Sequence, residues 1–122
     1  MEYRALGSSG LQISVLTMGT MTFGGTGQFA KVGSPDVEEA RRQVDMCLEA
    51  GVNLIDTADV YSDGQAEEIL GEALRGRRDQ ALVATKVRMP MGSGPNDAGL
   101  SRHHVVSGCE ASLRRLGTGH ID

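Results

Sequence analysis

The chain has 122 residues, 39% of them hydrophobic, four aromatics and a net charge of −4. That allows one domain with a modest core, and the absence of any Lys/Arg cluster excludes a nucleic-acid surface, which needs a concentrated basic field. No apolar run approaches the roughly 20 residues that span a bilayer, and Met1-Glu2-Tyr3-Arg4 lacks a signal-type apolar stretch, so a cytoplasmic location with no membrane partner is expected.

Glu2 to Leu6 and Leu11 to Ser14 are β-prone pieces flanking Gly7-Ser8-Ser9-Gly10, which has the turn chemistry of a hairpin. Val15 to Gly19 reads as a first buried strand, followed by a long loop containing Gly24-Gly25-Thr26-Gly27 and running to Ser34-Pro35. In that loop Met21 and Phe23 suit either a pocket wall or a loop anchor. A first helix is predicted with Ser34 as cap, Pro35 at its first position and Asp36, Glu38 and Glu39 in the positive first turn. Its Val37, Ala40, Val44, Cys47 and Leu48 share one face, and Gly51 ends it.

A second strand, Val52 to Asp56, leads through Tyr61 to a helix with Ala66, Ile69, Leu70, Ala73 and Leu74 on one face and Gly76 as its stop. A third strand, Ala81 to Lys86, and the loop Arg88 to Gly99 precede a helix capped by Ser101. Its predicted inward residues are Val106, Cys109, Leu113 and Leu116, with Gly117 as its stop. His103 and His104, in its first turn, are expected to be exposed. Cys47 and Cys109 show neither CxxC nor Cys/His ligand spacing and read as reduced, buried, small apolar residues. No metal site is expected.

Repeated strand–helix units with continuous apolar strands require a parallel sheet covered by helices. Periodicity leaves a closed barrel and an open doubly wound sheet as alternatives. In either, ligands gather at the carboxyl ends of the strands, where Asp56 and Lys86 stand on neighbouring strands about 4.8 Å apart, with Tyr61 just beyond. A structural ion pair at the rim is the plain alternative for Asp56 and Lys86 alone. Two further patterns fail. Asp59-x-Tyr61-x-Asp63-Gly64 has Tyr61 and Leu70 where a calcium loop needs oxygen ligands. Gly24-Gly25-Thr26-Gly27 lacks the third glycine and the following helix of a dinucleotide fingerprint.

Leu16-Thr17-Met18-Gly19-Thr20-Met21-Thr22-Phe23-Gly24, Asp56-Thr57-Ala58-Asp59-Val60-Tyr61, Glu67-Glu68-Ile69-Leu70-Gly71, Ala84-Thr85-Lys86 and Ser112-Leu113-Arg114-Arg115-Leu116-Gly117, running into His120-Ile121-Asp122, resemble the amino-terminal part of the aldo-keto reductases in order and spacing. The resemblance implies an α/β fold. It would be a partial (β/α)8 TIM barrel, with a hairpin plugging its floor and about three and a half βα units over residues 1–122 of the roughly 250 such a barrel needs. It also implies NADPH-dependent reduction of aldehyde and ketone carbonyls, NADH being the alternative cofactor.

The catalytic residues it implies are Asp56, Tyr61 and Lys86. Gly19, Thr20, Met21, Asp56 and Lys86 would touch the nicotinamide, and Met21, Phe23 and Tyr61 would line the substrate pocket. A phenol with its ordinary pKa near 10 is a weak acid at neutral pH. A cation about 4 Å away at an effective dielectric near 20 is worth roughly 4 kcal/mol, on the order of three pKa units. Tyr61 is therefore expected as general acid, Lys86 as its electrostatic activator and Asp56 as the orienter of Lys86.

The family's catalytic histidine is expected a few residues beyond Asp122. His120 opens the fourth strand and lies a strand length of ~17–20 Å from the rim. The 122 residues alone are expected to show negligible turnover. Alternative roles are a nucleotide-binding regulatory module, like the channel β-subunits of this fold, or a half-barrel that self-associates through its open edges.

Overall fold

The computed structural model describes residues 1–33 and 36–122. The chain opens with β1 (Tyr3–Ala5) and β2 (Gln12–Ser14), an antiparallel hairpin in which Tyr3 pairs with Ser14 and Ala5 with Gln12. Then come β3 (Met18–Gly19), α1 (Val37–Glu49), β4 (Leu54–Asp56), α2 (Gln65–Ala73), β5 (Leu82–Ala84) and α3 (Arg102–Leu116). β3, β4 and β5 form a parallel sheet in that order, with Met18 beside Ile55 beside Val83 and Gly19 beside Asp56 beside Ala84.

The order of elements is the predicted one, while several boundaries differ. Val15 and Leu16 are 44% and 62% exposed, so Val15 to Gly19 is not one buried strand. Val15 still pairs with the hairpin through Glu2 O, and the Ser14 hydroxyl turns the chain by donating to Leu16 O. Only Met18 and Gly19 reach the sheet. The predicted cap Ser34 and Pro35 lie outside the described residues. Asp36 caps α1, its carboxylate accepting from the Glu39 N–H at 2.9 Å. Gly51 follows that helix in the left-handed conformation, φ 85°.

The hairpin is fastened to the amino-terminal end of β4. Asn53 donates to Ser14 Oγ and Gln12 O and accepts from Ser14 N, and the Tyr3 hydroxyl donates to Gly51 O. It therefore lies across the floor of the sheet, opposite the rim that carries Asp56. Ile55 and Val83, both fully buried, pack with Val44 and Leu70 between sheet and helices. By the two-residue alternation of a strand, Leu54 and Asp56 turn to the other face, the one a closed barrel would enclose. At the far edge Asp122 N donates to Val83 O, and its carboxylate accepts from Val83 N, so the last residues begin to run alongside β5.

α3 buries Leu116 and half-buries Leu113 as predicted, but is otherwise rotated from its predicted orientation. Its buried residues are His104, Ser112 and Leu116, while Val106 is 42% exposed and Cys109 is exposed. His104 is thus buried, not exposed, and Cys109 is not a core residue. The reason is polar. Glu67 of α2 is wholly buried and binds Arg115 Nε at 2.6 Å and the Thr85 hydroxyl at 2.6 Å. Turning Arg115 toward Glu67 carries His104, Gly108, Ser112 and Leu116, a row at i+4 spacing, to the inside.

The two helices meet at Gly71, where an added Cβ would lie 2.5 Å from Leu116 O and 2.7 Å from Leu116 C. Backbone cannot give way as a side chain can, so Gly71→Ala is expected to destabilise the protein by about 1–3 kcal/mol despite alanine's higher helix propensity. Urea unfolding of the two proteins measures the difference.

Candidate active site

Lys86 lies two residues past the end of β5, and its ammonium reaches back over the ends of β4 and β5. It donates to Asp56 Oδ2 at 2.7 Å, Thr57 O at 2.8 Å and the Tyr61 hydroxyl oxygen at 3.1 Å. An ammonium has three N–H donors and no acceptor, so every donor of Lys86 is used. The phenol oxygen can only accept from it, and the phenol's own hydrogen is left to point elsewhere.

Segment 56–61 supplies all three acceptors because parallel pairing continues past the strand ends, with Thr57 N donating to Ala84 O and Asp59 N to Lys86 O. The Tyr61 ring is itself held. Lys86 Nζ lies 4.8 Å from its centroid, and the Phe29 ring meets it edge-on with centroids 5.4 Å apart. Burial disfavours the charge on Lys86, but hydrogen bonds and attraction from Asp56 and Tyr61 outweigh it and hold its pKa above the usual lysine value.

Immediately after Tyr61 the chain enters the left-handed region at two non-glycine residues, Ser62 (φ 51°) and Asp63 (φ 55°). Such residues cost on the order of 1–3 kcal/mol each and persist only where their surroundings enforce them. Here the buried Ser62 hydroxyl donates to Phe23 O at 2.9 Å, and Ser62 O accepts from Thr26 Oγ1 at 2.7 Å. Gly24, at φ 84°, lets that loop come close, since a Cβ there would sit 2.8 Å from Ser62 Cβ. The glycine-rich loop therefore braces the Tyr61 turn.

Asp56, Tyr61 and Lys86 come together as the sequence suggested. Gly19, at the end of β3 beside Asp56, is exposed with open space where a Cβ would be, and Met21 is 45% exposed beyond it. An exposed glycine, a flexible apolar side chain and a half-exposed carboxylate and ammonium fit a flat, polar-edged ring such as a nicotinamide. Two expected residues have other roles. Thr20 is fully buried, with N–H and hydroxyl both directed at Asp56 O, so it fixes Asp56 and offers the cofactor no surface. Phe23 is fully buried in the core, which makes it the loop's anchor and not a pocket wall.

Two contributors escaped the sequence reading. Thr57 acts through a carbonyl that every residue has, and Phe29 through a loop geometry without periodicity. No group of three metal-ligating side chains occurs among the described residues, and no described helix is long and apolar enough to cross a membrane.

Residues 15–122 match the profile of the Aldo/keto reductase family. The chain belongs to the aldo-keto reductase family. A probable voltage-gated potassium channel subunit beta from Arabidopsis thaliana is 44% identical over 100% of this chain and 36% of that protein, and the rice counterpart matches equally well. A relative of the same description from Schizosaccharomyces pombe is 36% identical over 98% of this chain and 34% of its own length.

Among solved structures, the holo form of an aldo-keto reductase from Bacillus halodurans superposes with a TM-score of 0.78 at 37% identity, covering 100% of this chain and 38% of that one. A Pseudomonas aeruginosa structure assigned to the aldo-keto reductases gives 0.80 at 37% identity, over 98% of this chain and 43% of that one. The chain thus spans less than half of these aldo-keto reductases, and its three-stranded parallel sheet with the helices over it is part of a (β/α)8 barrel.

Because the folded pKa of Lys86 is raised, the stability it contributes is fully present below lysine's unfolded value near 10.4 and is lost as pH rises through the folded value. The stability difference between the native protein and Lys86→Met is therefore expected to be flat from neutral pH to about 10 and to shrink above it. Denaturant titrations in buffers across that range measure the difference.

Proposed function

We propose that the protein containing this chain reduces aldehyde or ketone carbonyls to alcohols with NADPH, and that Tyr61 supplies the proton. The observation that supports this reading best is the Lys86 ammonium seated on Asp56, Thr57 O and Tyr61 at once. Bound against Gly19, Met21, Asp56 and Lys86, the nicotinamide would supply a hydride to the carbonyl carbon.

The oxygen then gains negative charge, and the phenol hydrogen, left outward by the Lys86 contact, passes to it. The ammonium stabilises the phenolate that remains, at a rim only half screened by water. Asp56 keeps the ammonium in place while its own negative charge opposes part of that stabilisation. Thr20, through Asp56, and the braced turn after Tyr61 hold the Lys86 ammonium and the Tyr61 phenol at fixed separation, so that the phenol is aimed for proton transfer. Met21 and Tyr61 face the carbonyl substrate.

A second reading is favoured by the 44% identity to channel β-subunit relatives: the same site binds nucleotide, and the protein serves a channel as a regulatory subunit. The two differ in turnover.

The protein carrying these residues, assayed for carbonyl-dependent loss of NADPH absorbance against a panel of aldehydes and ketones, is expected to turn over. Tyr61→Phe is expected to lower kcat by roughly 10²–10⁴-fold, the range of a lost general acid, while NADPH binding measured by fluorescence persists. Tight NADPH binding without turnover on any substrate would favour the regulatory reading. Unchanged kcat in Tyr61→Phe would remove Tyr61 from the chemistry.

A further inference from the structure

Behind the catalytic rim lies a second polar cluster that the proposed reaction does not use. Asp59 is 2% exposed and His104 is 4% exposed, and both line a half-open cavity of about 240 Å³ together with Asp97, Ser107 and Arg115. Asp59 Oδ2 and His104 Nε2 are buried without a hydrogen-bond partner among the described residues. A buried polar atom without a partner keeps the full cost of leaving water, and a charged group more so, so two at one cavity call for a bridging group. The cavity has room for water, and water held by several polar atoms is a regular part of protein interiors.

The position of Asp59 gives this bridge a consequence. Asp59 is the midpoint of the segment whose Asp56, Thr57 and Tyr61 bind the ammonium, and its backbone N–H donates to Lys86 O at 3.3 Å. Its carboxylate turns the other way, to the cavity and the first turn of α3. There the backbone of His104 is fixed by the helix cap, its main-chain N–H donating to Ser101 Oγ at 3.1 Å.

We propose that Asp59 and His104 are positioning residues, joined by water in the cavity they share, which tie segment 56–61 to α3 and so set the Tyr61 hydroxyl on Lys86. This role rests on the carbonyl-reducing function proposed above.

The charges around the pair agree with it. Burial pushes the Asp59 carboxyl above the ordinary carboxylate range, and the buried Glu67 adds to this. The Val60 N–H, Arg115 and His104 act in the opposite direction. The remaining charge on the cavity wall is Asp97, whose carboxylate accepts from Gly94 N at 2.8 Å. Asp59 thus keeps a buried carboxylate that burial itself disfavours, as expected of a residue serving the site more than the core.

The test compares Asp59→Asn, His104→Gln and the double variant in the full protein, reading kcat, KM, NADPH affinity and melting temperature, with a crystal structure of each single variant. The expected result is a loss of kcat of about tenfold in either single variant with little change in NADPH affinity. The double variant should be no worse than the poorer single. In the crystals the Tyr61 hydroxyl should move beyond hydrogen-bond distance of Lys86.

Additive losses, or kcat falling only in step with melting temperature and NADPH affinity, would overturn the proposal. So would a Tyr61–Lys86 contact that stays in place in both variants. Should the native protein bind NADPH without turnover, the reductase reading fails on its own. The crystallographic distance then still decides whether Asp59 and His104 hold Tyr61, and if Asp59→Asn does not fold, His104→Gln gives the same reading.

Discussion

The structure depends on one saturated ammonium. Lys86 spends its three donors on a carboxylate, a carbonyl and a phenol that all belong to the six residues from Asp56 to Tyr61. Because an ammonium cannot accept, the arrangement has a direction: charge is held on the lysine side and the phenol proton is left facing outward. A neutral amine, or a lysine one residue earlier at position 85, would lose that direction. Alternation would point the earlier side chain into the helix-facing core with Ile55 and Val83.

Each surrounding layer serves that contact. The parallel register sets β4 beside β5 and continues past their ends, so that segment 56–61 follows the path of residues 84–86. Thr20 fixes the carbonyl of Asp56 from β3's side, and the glycine-rich loop pins the left-handed residues after Tyr61 through Phe23 O and Thr26. Strain of this kind is expected where a side chain must be aimed and not merely packed. The glycines that looked like a failed nucleotide fingerprint serve this close approach of two loops.

Much of this was legible from residue types and spacing. Ser101 at the start of α3 and Gly51 and Gly117 beyond helix ends are local signals with local causes, and all act as read. The meeting of Asp56, Tyr61 and Lys86 was legible because two apolar runs end in a carboxylate and an ammonium with a phenol just beyond, while the roles assigned to them came from the family resemblance. The orientation of α3 was not. Its apolar positions define one stripe, yet the buried Glu67–Arg115 pair and the close approach at Gly71 select another, a balance that only tertiary contact decides. The same contact buried His104 and left Cys109 exposed, while Thr20 is drawn inward by the carbonyl of Asp56 and Phe23 by the core beneath its loop. The split of Val15 to Gly19 between hairpin and sheet followed from one serine hydroxyl at Leu16 O, below the resolution of any hydrophobic pattern.

The orientation of the phenol hydrogen is the central claim, and neutron diffraction from deuterium-exchanged crystals of the protein tests it most directly. The account predicts three deuterons on Lys86 Nζ, directed at Asp56, Thr57 O and the Tyr61 oxygen, with the phenolic deuteron turned away from the lysine toward the open rim. A phenolic deuteron pointing at a two-deuteron, neutral Lys86 nitrogen would contradict it.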